Sequence, residues 1–187
     1  FPDEVTPENM QVIIDEAARL NSLVNDLLTV SKLQSGTQSI DVKEISITKS
    51  ILDTVKRYEK LLEHKDYTIK FEYDCEVFVL ADETRLLQVV YNLINNAINY
   101  TGDDKTVTVK QEVSDGVVRI SVIDTGEGIS EENLPLIWDR FYKVDKAHSG
   151  KGSGLGLSIA KAIVDLLPGI AERHQLQRDL LGGHLNT

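Results

Sequence analysis

Asn92, Asn95, Asn96 and Asn99 fall within eight residues. In a helix, Asn92 and Asn96 are four apart and stack on one face. Asn95 and Asn99 fall beside them, and Arg85 and Gln88 extend the stripe backwards. Leu86, Leu87, Val90, Leu93, Ile94, Ala97 and Ile98 occupy the rest of the circumference, so the segment reads as a mostly buried helix with a strip of neutral amides. Four asparagines cost a helix roughly 1–2 kcal/mol against alanine, because their side chains compete for nearby backbone groups. Solvated helix faces are ordinarily Lys and Glu, so this composition points to chemistry. An amide oxygen suits a hard cation such as Mg2+, which is commonly shared with substrate phosphates. The stripe holds no carboxylate to deprotonate a water, which favours phosphoryl transfer over hydrolysis if the ligand is a nucleotide.

A second chemical stretch is Asp124-Thr125-Gly126-Glu127-Gly128-Ile129, directly after the strand-like run Val117–Ile123. An acid at a strand end, followed by two glycines at alternate positions, sets a carboxylate at a pocket mouth beside bare backbone. Such a carboxylate pairs with the exocyclic amine of adenine and leaves the guanine carbonyl unpaired, a discrimination on the order of several kcal/mol in a buried site. Taken alone, Asp-Thr-Gly is also a common turn. A third stretch, Gly152-Ser153-Gly154-Leu155-Gly156-Leu157, opens the helical pattern that runs to Val164. Glycines there leave free N–H groups aimed at an anion, reinforced by the helix dipole. The polar, glycine-punctuated run Val144–Gly154 before it reads as a flap.

The elements that must position these groups follow from periodicity. Thr6-Pro7-Glu8 is a helix start. From there Met10, Ile13, Ala17, Leu20, Val24 and Leu27 recur as a heptad seam, widened by Ile14, Leu23, Leu28 and Leu33. One helix cannot bury such a stripe alone, so partner helices are expected from elsewhere. Ser35–Ser39 reads as a linker. Lys43–Ile47 is predicted as a strand and Thr48–His64 as an amphipathic helix. Tyr67–Tyr73 and Val77–Leu80 alternate with period two and predict a hairpin around Asp74-Cys75-Glu76. Thr106–Val113 and Val117–Ile123 predict a second hairpin about Ser114-Asp115-Gly116. Ser130-Glu131-Glu132 predicts another helix start. The expected class is α+β, a two-layer sandwich with helices on one face of a mixed sheet.

Bulk numbers narrow the partners. The 187 residues hold one domain with something appended, or two small ones, and 41% hydrophobic content suffices for a core. A net charge of −10 argues against a nucleic-acid surface. The single cysteine, Cys75, excludes an internal disulfide and fits a reducing compartment. No apolar run approaches a membrane span. Because the chain begins at Phe1, it is expected to be a piece of something longer.

Taken in order, these motifs resemble the ATP-binding part of a sensor histidine kinase from a two-component system, with the Bergerat-type nucleotide fold shared with Hsp90, gyrase and MutL. Tyr91–Thr101 is similar to that family's N box, Asp124–Ile129 to the G1 box, Asp139–Lys143 to the F box and Gly152–Leu157 to the G2 box. Residues 7–36 resemble the second helix of a dimerisation bundle, giving a partial dimerisation domain over 1–36 and a catalytic domain over 37–187. The resemblance implies ATP and Mg2+ as cofactors. It implies that Asn96 ligates the magnesium and that Asn92 helps hold the phosphates. Asp124 would bind the adenine amine, with Gly126, Gly128 and Ile129 beside it, and Tyr100 would border the nucleotide. Phe141 and Tyr142 would anchor the lid, and Lys143 would offer charge to the phosphates. Gly152, Gly154, Leu155 and Gly156 would supply the hinge and the phosphate-facing amides. Hydrolysing relatives place a Glu where Asn92 stands. The implied partners are a response regulator and a second copy through the N-terminal helix, with a membrane reached only through upstream segments and this part in the cytoplasm.

The chain departs from the family's pattern in three places. None of His64, His148, His174 and His184 has the His-Glu/Asp context of the phosphoacceptor, so the chain is expected to lack its own acceptor. The N-box position that is often lysine is Asn99. Pro168–Leu181 stand before the expected Gly-Gly, which arrives only at Gly182-Gly183, and residues 168–187 do not follow the family's closing pattern. The runner-up reading is a nucleotide-dependent switch without kinase turnover.

Overall fold

The computed structural model describes residues 6–34, 39–144 and 153–167. Gly152, most of the flap with His148, part of the Ser35–Ser39 linker, and the tail with His174 and His184 lie outside the described residues.

The order of elements is α1 (Pro7–Gln34), β1 (Lys43–Ser46), α2 (Ile47–Leu62), β2 (Thr68–Glu72), β3 (Phe78–Ala81), α3 (Glu83–Tyr100), β4 (Thr106–Ser114), β5 (Val117–Asp124) and α4 (Gly156–Leu166). The start of α1 uses the expected side chain, whereas α2 starts one residue earlier than predicted, with Ser46 as its cap. Thr6 Oγ1 accepts the Asn9 amide at 3.2 Å, and Ser46 Oγ accepts the Lys49 amide at 3.2 Å. Asp82 caps α3 through the Arg85 amide at 3.1 Å, while its other oxygen takes the Asp41 amide at 3.0 Å. Burial pushes the Asp82 carboxyl up, but these amides outweigh it and hold the group below the ordinary carboxylate range.

The main sheet is mixed, with strand order β2-β4-β5. β2 runs parallel to β4, with Ile69 opposite Val107 and Phe71 opposite Val109. β4 and β5 form the predicted hairpin in unbroken register from Ser114↔Val117 to Val107↔Asp124. The inward row of Ile69, Val107, Val109 and Val122 is buried beneath Ile51 and Val55 of α2, Val90 and Ile94 of α3, and Ile159 and Ile163 of α4. This is the expected two-layer α+β sandwich.

The structure corrects two local expectations. β2 and β3 do not form a hairpin, because β3 pairs antiparallel with β1 in a separate two-stranded sheet. The alternation in both runs is real, but strand partnership is decided by burial. Ile69 is buried on the helix-covered face, whereas Phe78 and Leu80 of β3 are 59% and 72% exposed. Asp74-Cys75-Glu76 also lacks the glycine that a tight turn needs. The segment is held instead by Gln111, which is 3% exposed. Gln111 donates to the Cys75 carbonyl at 3.0 Å and accepts from the Thr48 hydroxyl at 2.8 Å. Thr48 Oγ1 in turn accepts the Val77 amide at 2.9 Å. Gln111→Leu leaves buried groups unpaired and is expected to cost about 1–3 kcal/mol, read as a lowered urea midpoint at unchanged slope.

The second correction is at Ser130-Glu131-Glu132, which opens a chain of turns rather than a helix. Asn133 bonds back to Ser130 at 2.9 Å, Ile137 to Asn133 at 3.2 Å and Asp139 to Leu136 at 2.9 Å. Pro135 has no N–H to give the Glu131 carbonyl, so the ladder cannot continue.

In α1 the seam residues Met10, Ile13, Leu20, Val24 and Leu27 lie open. Among the described side chains of the seam group, Leu23 packs against the sandwich core. Asp26 accepts from the Ser153 hydroxyl at 2.9 Å. Burial raises the Asp26 carboxyl above its ordinary value, and that hydrogen bond opposes the rise. No helix among the described residues is long and apolar enough to cross a membrane.

Candidate functional site

The four asparagines of α3 do not share one face. Asn96 lines a cleft of about 350 Å³, counting its open mouth, with Leu93, Ala97, Val122, Asp124 and Ile129; Ile137 and Leu157 complete the lining. Asn92 sits one turn back, with Oδ1 3.7 Å from where a Cβ on Gly156 would stand. Its Nδ2 is the one buried side-chain polar atom among the described residues that lacks a hydrogen-bond partner. Asn95 turns the other way and accepts from the Tyr58 hydroxyl of α2 at 2.7 Å. Burial pushes the Tyr58 phenol up to about 12, with the nearby Tyr91 contributing and the Asn95 bond opposing, so the hydroxyl remains a donor at neutral pH. Asn95 therefore anchors α2 to α3, Asn96 lines the cleft, and Asn92 lies against the start of α4.

Asp124 ends β5 opposite Asn96. Its Oδ1 accepts the Gly126 amide at 2.8 Å, which leaves Oδ2 for other partners. Gly126 is indispensable in this packing: a Cβ there would lie 2.1 Å from the Tyr100 carbonyl oxygen. Tyr100 thus meets the turn through its backbone, while its side chain is 42% exposed. Gly128 has φ +76 but open space around it, so its requirement is conformational.

The aromatic-basic segment and α4 meet at Gly154. The Phe141 amide donates to the Gly154 carbonyl at 2.8 Å, and a Cβ on Gly154, whose φ is +72, would lie 2.9 Å from Phe141 Cα. Tyr142 donates to Asn133 Oδ1 at 2.7 Å, and Lys143 beside it is half-buried. Leu155 sends its side chain into the core at 1% exposure, so contact with a ligand would fall to its backbone. The first turn of α4 has no side-chain cap, leaving its amides near the unpartnered Asn92. Sequence reasoning missed Ile137 as a cleft residue, since its place depends on how the turns fold back. Val122 and Leu93 carried only the signal of core periodicity.

A sandwich of this topology, with an amide-bearing helix, a strand-end acid and a glycine-opened helix around one cleft, defines a nucleotide-type ATPase domain. The sequence profile of histidine kinase-, DNA gyrase B- and HSP90-like ATPases matches residues 81–184, and the chain belongs to that family. Within it, the chain is a sensor histidine kinase catalytic domain. It is 40% identical over 170 residues to sensor protein SrrB of Staphylococcus aureus strain N315, covering 88% of this chain and 28% of SrrB. The chain thus spans little more than a quarter of that relative's length. The full-length histidine kinase ShkA in complex with AMPPNP superposes with TM-score 0.71 at 26% identity, over 87% of this chain and 35% of ShkA. Histidine kinase ThkA in complex with response regulator protein TrrA superposes with TM-score 0.64 at 26% identity, over 76% of this chain and 42% of that one.

Proposed function

We propose that this chain binds Mg–ATP in the cleft between α3, β5 and α4. The γ-phosphoryl group then passes to a histidine imidazole on a bundle helix outside the chain, and onward to an aspartate of a response regulator. The observation that carries the reading is Asn92, whose buried Nδ2 lacks a partner and whose side chain lies against the uncapped start of α4. An orphaned buried donor is costly, and a phosphate oxygen is the acceptor that would satisfy it together with the α4 amides. The relatives' complexes with AMPPNP and with a response regulator agree with this assignment.

Asp124 Oδ2 takes the adenine amine, with Gly126, Gly128 and Ile129 framing the base and Tyr100 at its border. Gly154, Leu155 and Gly156 present backbone to the phosphates, Tyr142 holds the lid base, and Lys143 offers positive charge. Magnesium fits as a shared ion: among the described residues there is no cluster of three His, Cys, Asp or Glu side chains, so an ion near Asn96 would complete its shell with phosphate oxygens and water. When bound, it neutralises charge on the transferring group. The imidazole nitrogen attacks the γ-phosphorus, the bond to the bridging oxygen breaks, and ADP departs with the electron pair. The chain contributes positioning and electrostatics, and Asn92 offers no carboxylate to activate water instead.

The 1–36 segment is assigned as part of a dimerisation bundle and 37–187 as the catalytic domain. The open seam of α1 pairs with the bundle's other helices and a second copy, and any membrane anchor lies upstream, with this part on the cytoplasmic side. The test incubates the full chain with γ-labelled ATP and Mg2+, alone and with a separately supplied acceptor bundle. The expected result is saturable nucleotide binding, no label on the chain alone, and label on the added bundle. Label on the chain alone, or steady phosphate release without acceptor labelling, would refute the assignment.

A further inference from the structure

The turn carrying Asp124 is fastened to the far end of α3 by hydroxyl groups that no nucleotide contact requires. Thr125 Oγ1 accepts the Gly102 amide at 3.2 Å, donates to Asp104 Oδ1 and lies 3.0 Å from Thr101 Oγ1. The Thr125 amide points at Thr101 Oγ1 at 3.5 Å. Thr101 in turn donates to the Thr106 carbonyl at 2.8 Å, and Asp104 Oδ1 also takes the Thr106 amide at 3.1 Å. One side chain between Asp124 and Gly126 therefore ties the end of β5 to the C-cap of α3, the following loop and the start of β4. The approach is close on both strands of the clasp: a Cβ on Gly102 would lie 2.6 Å from the Thr125 carbonyl oxygen, as one on Gly126 would crowd Tyr100.

We infer that Thr125 is a positioning residue for base selection, its hydroxyl clasp setting where Asp124 Oδ2 stands relative to α3. The inference rests on the reading of Asp124 as the acid that meets the base. Asp124 Oδ1 is committed to the Gly126 amide, so a single oxygen discriminates between amine and carbonyl. A hydrogen bond to one fixed atom is selective only while that atom is held in place. Core packing of Ala97 and Val122 sets the depth of the cleft; the Thr125 clasp sets its mouth.

Thr125→Val keeps the shape and removes the hydroxyl, and Thr125→Ser restores a hydroxyl. The full chain is titrated with Mg–ATP and Mg–GTP, and backbone amide exchange is followed without ligand. Thr125→Val is expected to weaken ATP binding about five- to tenfold, an effect of the size of one lost hydrogen bond, with GTP almost unchanged. The Gly102 and Gly126 amides should exchange faster in that variant. Thr125→Ser should recover ATP affinity to within about twofold of the wild type. A purely structural role would lower the melting temperature and weaken both nucleotides equally. Unchanged selectivity in Thr125→Val, equal loss for both nucleotides, or a serine variant that behaves like valine overturns the inference. Asp104→Ala attacks the clasp from its other side and decides the matter if Thr125→Val fails to fold. A wild-type chain that binds no adenine nucleotide overturns the site reading and this inference with it. A wild type that binds ATP beside an equally selective valine variant overturns this inference alone.

Discussion

Asp124→Ala is expected to reduce Mg–ATP affinity by about ten- to a hundredfold. The variant removes a charged acceptor for the base amine, and charge-assisted hydrogen bonds contribute about 1.5–3 kcal/mol. It also strips the Gly126 amide of its partner at 2.8 Å, so the turn loosens as the contact disappears. Asp124→Asn separates the two effects. Its carbonyl can still accept from Gly126, leaving an amide NH2 toward the base, where it meets adenine as donor against donor and guanine as donor against acceptor. ATP affinity should therefore fall while the ATP/GTP preference narrows or reverses. Calorimetric titration of both variants with both nucleotides checks this. Retention of wild-type ATP affinity by Asp124→Ala would show that the base lies elsewhere.

The second large effect is on the scaffold beneath that acid. Gly126→Ala places a methyl group 2.1 Å from the Tyr100 carbonyl oxygen, 3.1 Å from its carbon and 2.9 Å from Asp124 Oδ1. Two of those neighbours are backbone at the end of α3, so no side-chain rotation relieves the clash. Either β5 or α3 must shift, and the two walls of the cleft move apart. The expected destabilisation is at or above the top of the ~1–3 kcal/mol usual for overpacking, with nucleotide binding lost at temperatures where the chain is still folded. Gly128→Ala provides the contrast. It has free space but φ +76, and should cost only about 1–2 kcal/mol of backbone strain. A thermal melt together with a nucleotide titration on each variant distinguishes them. Equal, small effects at both positions would contradict the close approach of α3 to the turn.

Particular elements explain how far the sequence could be read. Helix α3 was legible because its apolar period is strong. The β4–β5 hairpin was legible because Ser114-Asp115-Gly116 is a local turn, with Asp115 at φ 53 and Gly116 at φ 77. Both are signals carried by neighbours in the chain. The false hairpin at Asp74-Cys75-Glu76 came from the same kind of signal, alternation, which specifies a strand but not its partner. The buried Gln111 that replaces the turn is 36 residues from Cys75 along the chain. The amide stripe is legible in kind but not in direction, because Asn95, next to Asn96 in the chain, is taken by Tyr58 of α2.

Residue types and order along the chain were enough to determine the family and the α+β class, and to single out Asn92, Asn96, Asp124 and the glycine turns as the proposed chemical groups. Those features follow from local periodicity and from chemistry that few residue types can perform. Tertiary structure alone decided that β2 joins β4 while β3 joins β1, that Asn92 keeps a donor without a partner, and that Thr125 clasps the cleft's mouth. Each of these depends on which distant surfaces are buried against one another, and burial is settled by the whole packed chain rather than by any one stretch of it.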